Sequence, residues 1–456
     1  MSTVLGASTG GRRAVASLGL AAIAAYCGLL AWCMEHVSYD TWAALVIGPL
    51  ILAVSLPMIR WITRDDEDPM FGLLGAALVV KLLASLLRYF VAFELYGGRA
   101  DAARYDLVGK QLANQFITGS LPLRDLVPLA TGTEFLERLT ATVYAVAGPT
   151  RLGGFLLFSW MSWWGLLLCH RAARVGVPEL DHRRYAWLLF FLPSLLFWPS
   201  SIGKEAWMLL CIGVAAYGAA RILARRPLGY VIAAIGVTGA GVARPHVAAV
   251  FMAALLVAAV FRRAPGERPL LGPIGRYLGV AILSVGLAFA FSQVVRYFFP
   301  SGDVTGFDAV SGVLDTAQDR TAVGGSEIDT SRPNSPIDYP RALVTSLLRP
   351  TVFDADRGSA AALAAVETTF VLVLAIVSWR RLWGLPAMMI RRPYVLFAVV
   401  YIGVFGFAWS TIGNLGILTR QRVQVWPFVV LLLALPIAPR EPRPGAAARS
   451  AAAIQP

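Results

Sequence analysis

Charge is what this sequence has least of. Asp and Glu number 27 in 456 residues and charged residues together make up 15%, against about 25% in ordinary soluble domains. Apolar residues reach 57%, where soluble chains have roughly 45–50%. A water-soluble globular domain is excluded on both counts. Cysteine is equally sparse: Cys27, Cys33, Cys169 and Cys211 lie inside apolar runs, with no CxxC and no His at ligand spacing. That pattern suggests neither a zinc site nor a disulfide framework, and the four read as packing residues. There is no Walker motif and no glycine-rich nucleotide loop, so direct use of ATP or of a nucleotide sugar inside the cell is not expected. Internal repeats and heptad seams are also missing. The net charge is +13, but Lys and Arg punctuate the apolar runs instead of clustering, which argues against nucleic acid as a partner.

What remains is an all-α integral membrane protein. A hydrocarbon-spanning helix needs about 20 mostly apolar residues, and about twelve such spans are predicted. They fall near 14–34, 41–61, 71–95, 152–170, 185–199, 203–222, 228–243, 247–261, 274–297, 359–378, 393–411 and 423–438. The first follows Arg12 and Arg13 like a signal peptide but has no clear cleavage site, so it reads as a retained span. With both termini in the cytoplasm, the short outer loops hold only Lys204, Arg244, Arg420 and Arg422, as the positive-inside rule requires. Residues 1–438 thus form one polytopic domain, and 439–456, rich in Pro, Ala and Arg, form a disordered cytoplasmic tail.

Two long loops then fall outside, 96–151 and 298–358. In the first, Tyr105, Val108, Leu112 and Phe116 recur at helical spacing within Asp101–Ile117, which predicts an amphipathic helix on the outer membrane surface with Asp101 as its N-cap. A second interfacial helix is predicted over Phe135–Ala147. The other loop is polar and rich in Gly, Ser, Asp and Pro through DTAQDRTAVGGSEIDTSRPNSP, which predicts mobility or ordering by a ligand.

Ionisable residues at or inside a bilayer are functional candidates by default. FWPSSIGKEAW, Phe197 to Trp207, puts a broken backbone before Lys204 and Glu205, where a new helix starts and favours an anion. ARPH, Ala243 to His246, offers Arg244 as a bidentate cation and His246 as a donor or proton shuttle. Arg420 and Arg422 sit where a compensating anion is needed, and a bound phosphate fits that need. Headgroup anchoring accounts for the same cations without a ligand. Lys81 and Arg88 lie two turns apart on one face of the third span and are expected to point inward, Arg88 toward an outer cavity and Lys81 toward an acidic group such as Glu367. Asp101 and Asp106, flanked by Arg99, Arg104 and Tyr105, suit proton abstraction from a sugar hydroxyl beside cations that stabilise a departing phosphate. A solvated helix face has the same composition. Asp354 and Asp356, with Arg349 and Arg357, are candidates for an acceptor glycan or a divalent cation.

DAARY, PSLLFWPSSIGKEAW, ARPH, LRPTVFDADRGSAAALAAVE and NLGILTRQRVQVWPF together resemble the polytopic membrane proteins of bacterial surface-polysaccharide synthesis, GT-C-type glycosyltransferases and oligosaccharide polymerases among them. The resemblance implies a polyprenyl-phosphate sugar donor, a glycan or lipid acceptor, and an active site facing outward from the bacterial cytoplasmic membrane. It also implies Asp101 as the base, with Lys204, Arg244, Arg420 and Arg422 as phosphate or acceptor ligands. The candidate loop follows the third span instead of the first, and the acidic residues are five apart instead of paired. Polymerisation of lipid-linked oligosaccharides and transport of a lipid-linked glycan are the competing functions. Transporters frequently carry broken helices at matching positions of two halves, and FWPSSIGKE has no counterpart here.

Overall fold

The computed structural model describes residues 9–66, 68–98, 100–126, 130–262, 272–299, 308–321, 333, 335, 337–352 and 359–437, and among these it is helical with no strand. The chain divides into two compact units. One comprises Met1–Trp160 with Ser200–Gly203, the other Met161–Pro199 with Lys204–Pro456.

The first unit holds α1 (Thr9–His36), α2 (Tyr39–Thr63), α3 (Phe71–Phe90) with a π-helical extension over Val91–Leu95, α4 (Asp101–Ile117), the single turn α5 (Leu123–Leu126) and α6 (Gly132–Ala147). Helix α7 (Arg151–Gly176) starts in this unit and ends in the other. The second unit continues with α8 (His182–Phe191), α9 (Pro193–Phe197), α10 (Lys204–Leu223), α11 (Gly229–Ala243), α12 (Pro245–Val260), α13 (Gly272–Phe298), α14 (Asp308–Thr321) and α15 (Tyr339–Leu348). It closes with α16 (Ser359–Val377), α17 (Trp379–Trp383), α18 (Leu385–Arg391), α19 (Pro393–Trp409), α20 (Leu415–Gln421), a 3-10 turn at Arg422–Gln424, and α21 (Trp426–Leu433).

Among the described residues, six helical segments are long and apolar enough to cross a membrane: Ser17–His36, Tyr39–Thr63, Phe71–Leu95, Arg151–Gly176, Lys204–Leu223 and Tyr277–Phe298. A seventh arises if α18 and α19, bent by 119°, act together. The count of twelve is therefore not reached by length and composition. Helices α11 and α12 have 15 and 16 residues, and at about 1.5 Å per residue they fall short of a hydrocarbon core of about 30 Å. Proline accounts for other departures. Pro193 ends α8 and opens α9, because the residue before a proline is pushed out of helical geometry. Within the predicted last span, 423–438, the 3-10 turn ends at Gln424 and α21 covers only Trp426–Leu433.

Helix α4 occupies Asp101–Ile117, but its N-cap is Ala100, and Asp101 is the first helical residue. The second predicted surface helix begins earlier, at Gly132. Part of the polar loop is ordered as α14, while Arg99, most of 322–336, the Asp354, Asp356 and Arg357 group and the tail lie outside the described residues. Lys81 and Arg88 are both buried, as an inward face demands. The Lys81 carbonyl accepts from Ser159 Oγ at 3.0 Å.

Small residues set the closest helix crossings of the second unit. A Cβ on Gly213 of α10 would lie 2.1 Å from the Gly165 carbonyl oxygen of α7, and one on Gly236 of α11 would lie 2.3 Å from the Ala215 nitrogen. In a membrane such close approach supplies packing that the hydrophobic effect does not. Gly213→Leu is therefore expected to destabilise the protein by about 1–3 kcal/mol through overpacking. Thermal unfolding in detergent would show a lowered midpoint, with Gly72→Leu, whose Cβ meets nothing within 4 Å, unchanged.

Candidate functional site

Two charged clusters stand out, one in each unit. In the first unit α4 turns Asp106 inward until 2% of it remains exposed. One carboxylate oxygen accepts from the Tyr144 hydroxyl of α6 at 2.6 Å, and the other from Arg151 Nε at the start of α7 at 2.8 Å. Lys110, one turn along α4, reaches the second oxygen at 3.3 Å. Its ammonium also donates to both oxygens of Asp40 at 2.6 and 2.8 Å. Asp40 accepts in addition from the Arg151 backbone N–H at 2.8 Å. Two carboxylates and two cations thus neutralise one another and tie α2, α4, α6 and α7 together. Burial, and then the adjacent Asp106, push the Tyr144 hydroxyl well above its ordinary pKa, so it stays protonated and donating at physiological pH. The crossing of α4 and α6 needs Gly109, where a Cβ would meet Thr140 Cγ2 at 2.7 Å.

The other first-unit candidates are dispersed. Arg104 pairs with Glu137 of α6 at 2.7 Å, Tyr105 is buried against the bundle, and Arg88 is buried on α3. Asp101 is exposed at the first turn of α4. Asp106 has its lone pairs committed to Tyr144, Arg151 and Lys110, and this geometry makes it a structural anchor in place of the expected base.

In the second unit, the first turn of α10 carries Lys204 and Glu205, and Arg244 immediately precedes α12. Arg244 Nη2 donates to Glu205 Oε1 at 2.9 Å, with both side chains buried. Arg244 Nη1 is shielded from solvent and has no hydrogen-bond partner among the described residues, and the same holds for His246 Nδ1. Arg420 lies close enough to act electrostatically on Glu205, and Lys204 and Arg244 on His246. The His246 ring packs 5.5 Å from Trp409. That indole is itself fixed by Gln421 Oε1, which accepts from Trp409 Nε1 at 2.6 Å, and by stacking on Phe405 at 3.9 Å. Two cations, Arg244 and Arg420, therefore act on one carboxylate, and Arg244 Nη1 and an imidazole nitrogen have no partner among the described residues.

Arg422 does not join them. It is 1% exposed, and its guanidinium donates to the Ser346 carbonyl at 2.8 Å and to the Arg349 carbonyl, both at the C-terminal end of α15. These carbonyls lie at the negative end of a helix, which suits a cation, and the Glu367 carboxylate lies close enough to act on Arg422 electrostatically. Arg349 enters this account through its backbone. Glu367, the suggested partner of Lys81, instead accepts from the Ser194 N–H at 2.9 Å and from its hydroxyl at 2.6 Å. Among the described residues no group of three or more His, Cys, Asp or Glu is placed to hold a metal ion.

Sequence reasoning missed Asp40, Lys110, Tyr144 and Arg151. The only local signal was the i, i+4 spacing of Asp106 and Lys110. Trp409 and Gln421 beside His246 had no signal at all. No family model, no curated protein and no solved structure matches the chain.

The two loop carboxylates are separable by stability. Asp106→Asn is expected to cost about 2–3 kcal/mol, because it strands partly buried cations, whereas Asp101→Asn leaves the unfolding midpoint in detergent unchanged. Equal midpoints for both variants would remove the anchoring role of Asp106.

Proposed function

We propose that this chain is a membrane glycosyltransferase that takes a sugar from a polyprenyl-phosphate donor and passes it to a glycan or lipid acceptor. It acts on the outer face of a bacterial cytoplasmic membrane. The observation that carries the proposal is the Arg244 site, where a buried guanidinium donates through Nη2 to Glu205 while its Nη1, like His246 Nδ1, has no partner among the described residues. A phosphate oxygen is the natural acceptor for two such donors, because Arg binds phosphate through parallel N–H groups and Lys204 and Arg420 add charge nearby. Donors preset around a phosphate leaving group stabilise the charge that grows on it during transfer.

In this reading the acceptor hydroxyl gives its proton to a carboxylate base while its oxygen attacks the anomeric carbon. The bond between that carbon and the phosphate oxygen breaks, and the departing polyprenyl phosphate keeps the electron pair. The sugar is inverted. The candidate for that base comes from the GT-C resemblance alone, which points to Asp101. Termini in the cytoplasm, and additional passages made by the shorter apolar helices, complete the topology that the reading requires.

The test is transfer from a radiolabelled polyprenyl-phosphate sugar in proteoliposomes. Arg244→Ala and Asp101→Asn are each expected to lower transfer by about 100-fold or more. Arg244→Lys keeps the charge but loses the fork and should fall between Arg244→Ala and wild type. Transfer unaffected by Arg244→Ala and Asp101→Asn overturns the assignment. Movement of the labelled lipid between leaflets with no transfer would make the protein a carrier of lipid-linked glycans instead.

A further inference from the structure

The first unit contains an apolar groove of about 540 Å³ that the reaction proposed above does not use. Its volume lies within the roughly 300–1,000 Å³ typical of ligand sites. Four helices line it: α1 from Tyr26 to Cys33, with Val37 just beyond its end, α2 from Thr41 to Leu52, α3 from Val79 to Leu86, and α7 at Leu152 and Leu156. All four belong to segments long and apolar enough to cross a membrane. Polar character is nearly absent along it, and the Tyr26 hydroxyl is spent on the Leu45 carbonyl. It stands open because α1 packs little against its neighbours, with none of the apolar window of Ser17–His36 buried.

The polar end of the groove is the feature that selects an occupant. Thr41 and Leu152 line it, and the next residues along the chain are Asp40 and Arg151, members of the charged network. Arg151 is held from two sides. Its Nε donates to Asp106, and the guanidinium carbon sits 4.5 Å over the Phe93 ring. Its two Nη groups form no hydrogen bond among the described residues, and the side chain is 33% exposed. A guanidinium fixed by its Nε edge and its face presents a two-nitrogen fork, which matches a phosphate bidentately.

We propose that this groove is a binding site for an anionic phospholipid, one acyl chain lying between α1, α2, α3 and α7 and its phosphate on the Nη fork of Arg151. A hydrocarbon chain is the occupant that an apolar groove opening within the bilayer favours, and the fork supplies charge complementarity to the headgroup. The site is distinct from the Arg244 cluster, and its occupancy does not depend on the reaction proposed for that cluster.

Native mass spectrometry of the full chain in detergent tests this with phosphatidylglycerol, phosphatidylcholine and a long-chain polyprenyl phosphate as probes. Gly48 lines the groove, and a Cβ there would meet only Leu156, at 4.0 Å, so Gly48→Phe fills the space without touching the charged network. Phosphatidylglycerol is expected to stay bound to the wild type in preference to phosphatidylcholine and to lose at least tenfold in affinity in Gly48→Phe. Gly28→Phe on α1, outside the groove and with nothing within 4 Å, keeps wild-type affinity. Arg151→Gln should retain chain binding and abolish the preference for the anionic lipid. Phosphatidylglycerol binding unchanged by Gly48→Phe, or a polyprenyl phosphate that displaces phosphatidylglycerol at equal concentration, would overturn the proposal.

Discussion

A carboxylate withdrawn from water must be paid for with hydrogen bonds and opposite charge, and Asp106 shows how much of the first unit follows from that requirement. Its three partners come from three different stretches of chain: Lys110 from its own helix, Tyr144 from α6 and Arg151 from the start of α7. Lys110 and Arg151 then carry charge of their own, which Asp40 at the start of α2 shares. Helices α4 and α6 are thereby fastened to the long apolar helices α2 and α7 by a network in which every ion has a counter-ion. Beside it, Gly109 leaves the room that Thr140 fills where α4 crosses α6.

The same requirement separates structural charges from candidate ligand-binding ones. Asp106 accepts from three donors, and Arg422 donates through Nε and Nη2 to the carbonyl oxygens of Ser346 and Arg349. In Arg244 and His246 one shielded nitrogen each has no partner among the described residues. An orphaned donor in low dielectric costs free energy in the empty state, and a ligand that supplies the missing acceptor recovers it. Unsatisfied donors are accordingly better guides to a site than charge or burial taken separately.

This distinction explains what was legible from the residues alone. Helix α4 was readable to its ends because Tyr105, Val108, Leu112 and Phe116 keep a 3.6-residue period between polar neighbours. The inward face of Lys81 and Arg88 was readable for the same reason, and so were the six long apolar segments. Hydropathy did not register Pro193 or the bend between α18 and α19, which divide runs that look continuous. Nor did anything local reveal that Asp40 meets Lys110 across 70 residues, or that Arg422 meets a helix end 73 residues before it. Which cation is spent and which is open is decided by such distant partners, and composition carries no trace of them.

Arg151 stands between the two classes. Its Nε edge and its face are fixed by Asp106 and Phe93, while its Nη groups are free of protein partners among the described residues and partly exposed. Fixing one edge of a guanidinium removes the rotamer freedom that a flexible cation loses on binding, so the cost of ordering is met during folding and not during association. A structural ion pair can in this way preorganise a binding group. Arg244 follows the same construction with Glu205 in the role of Asp106. In both units one carboxylate aligns a guanidinium, and the nitrogens it does not occupy determine what the protein can hold.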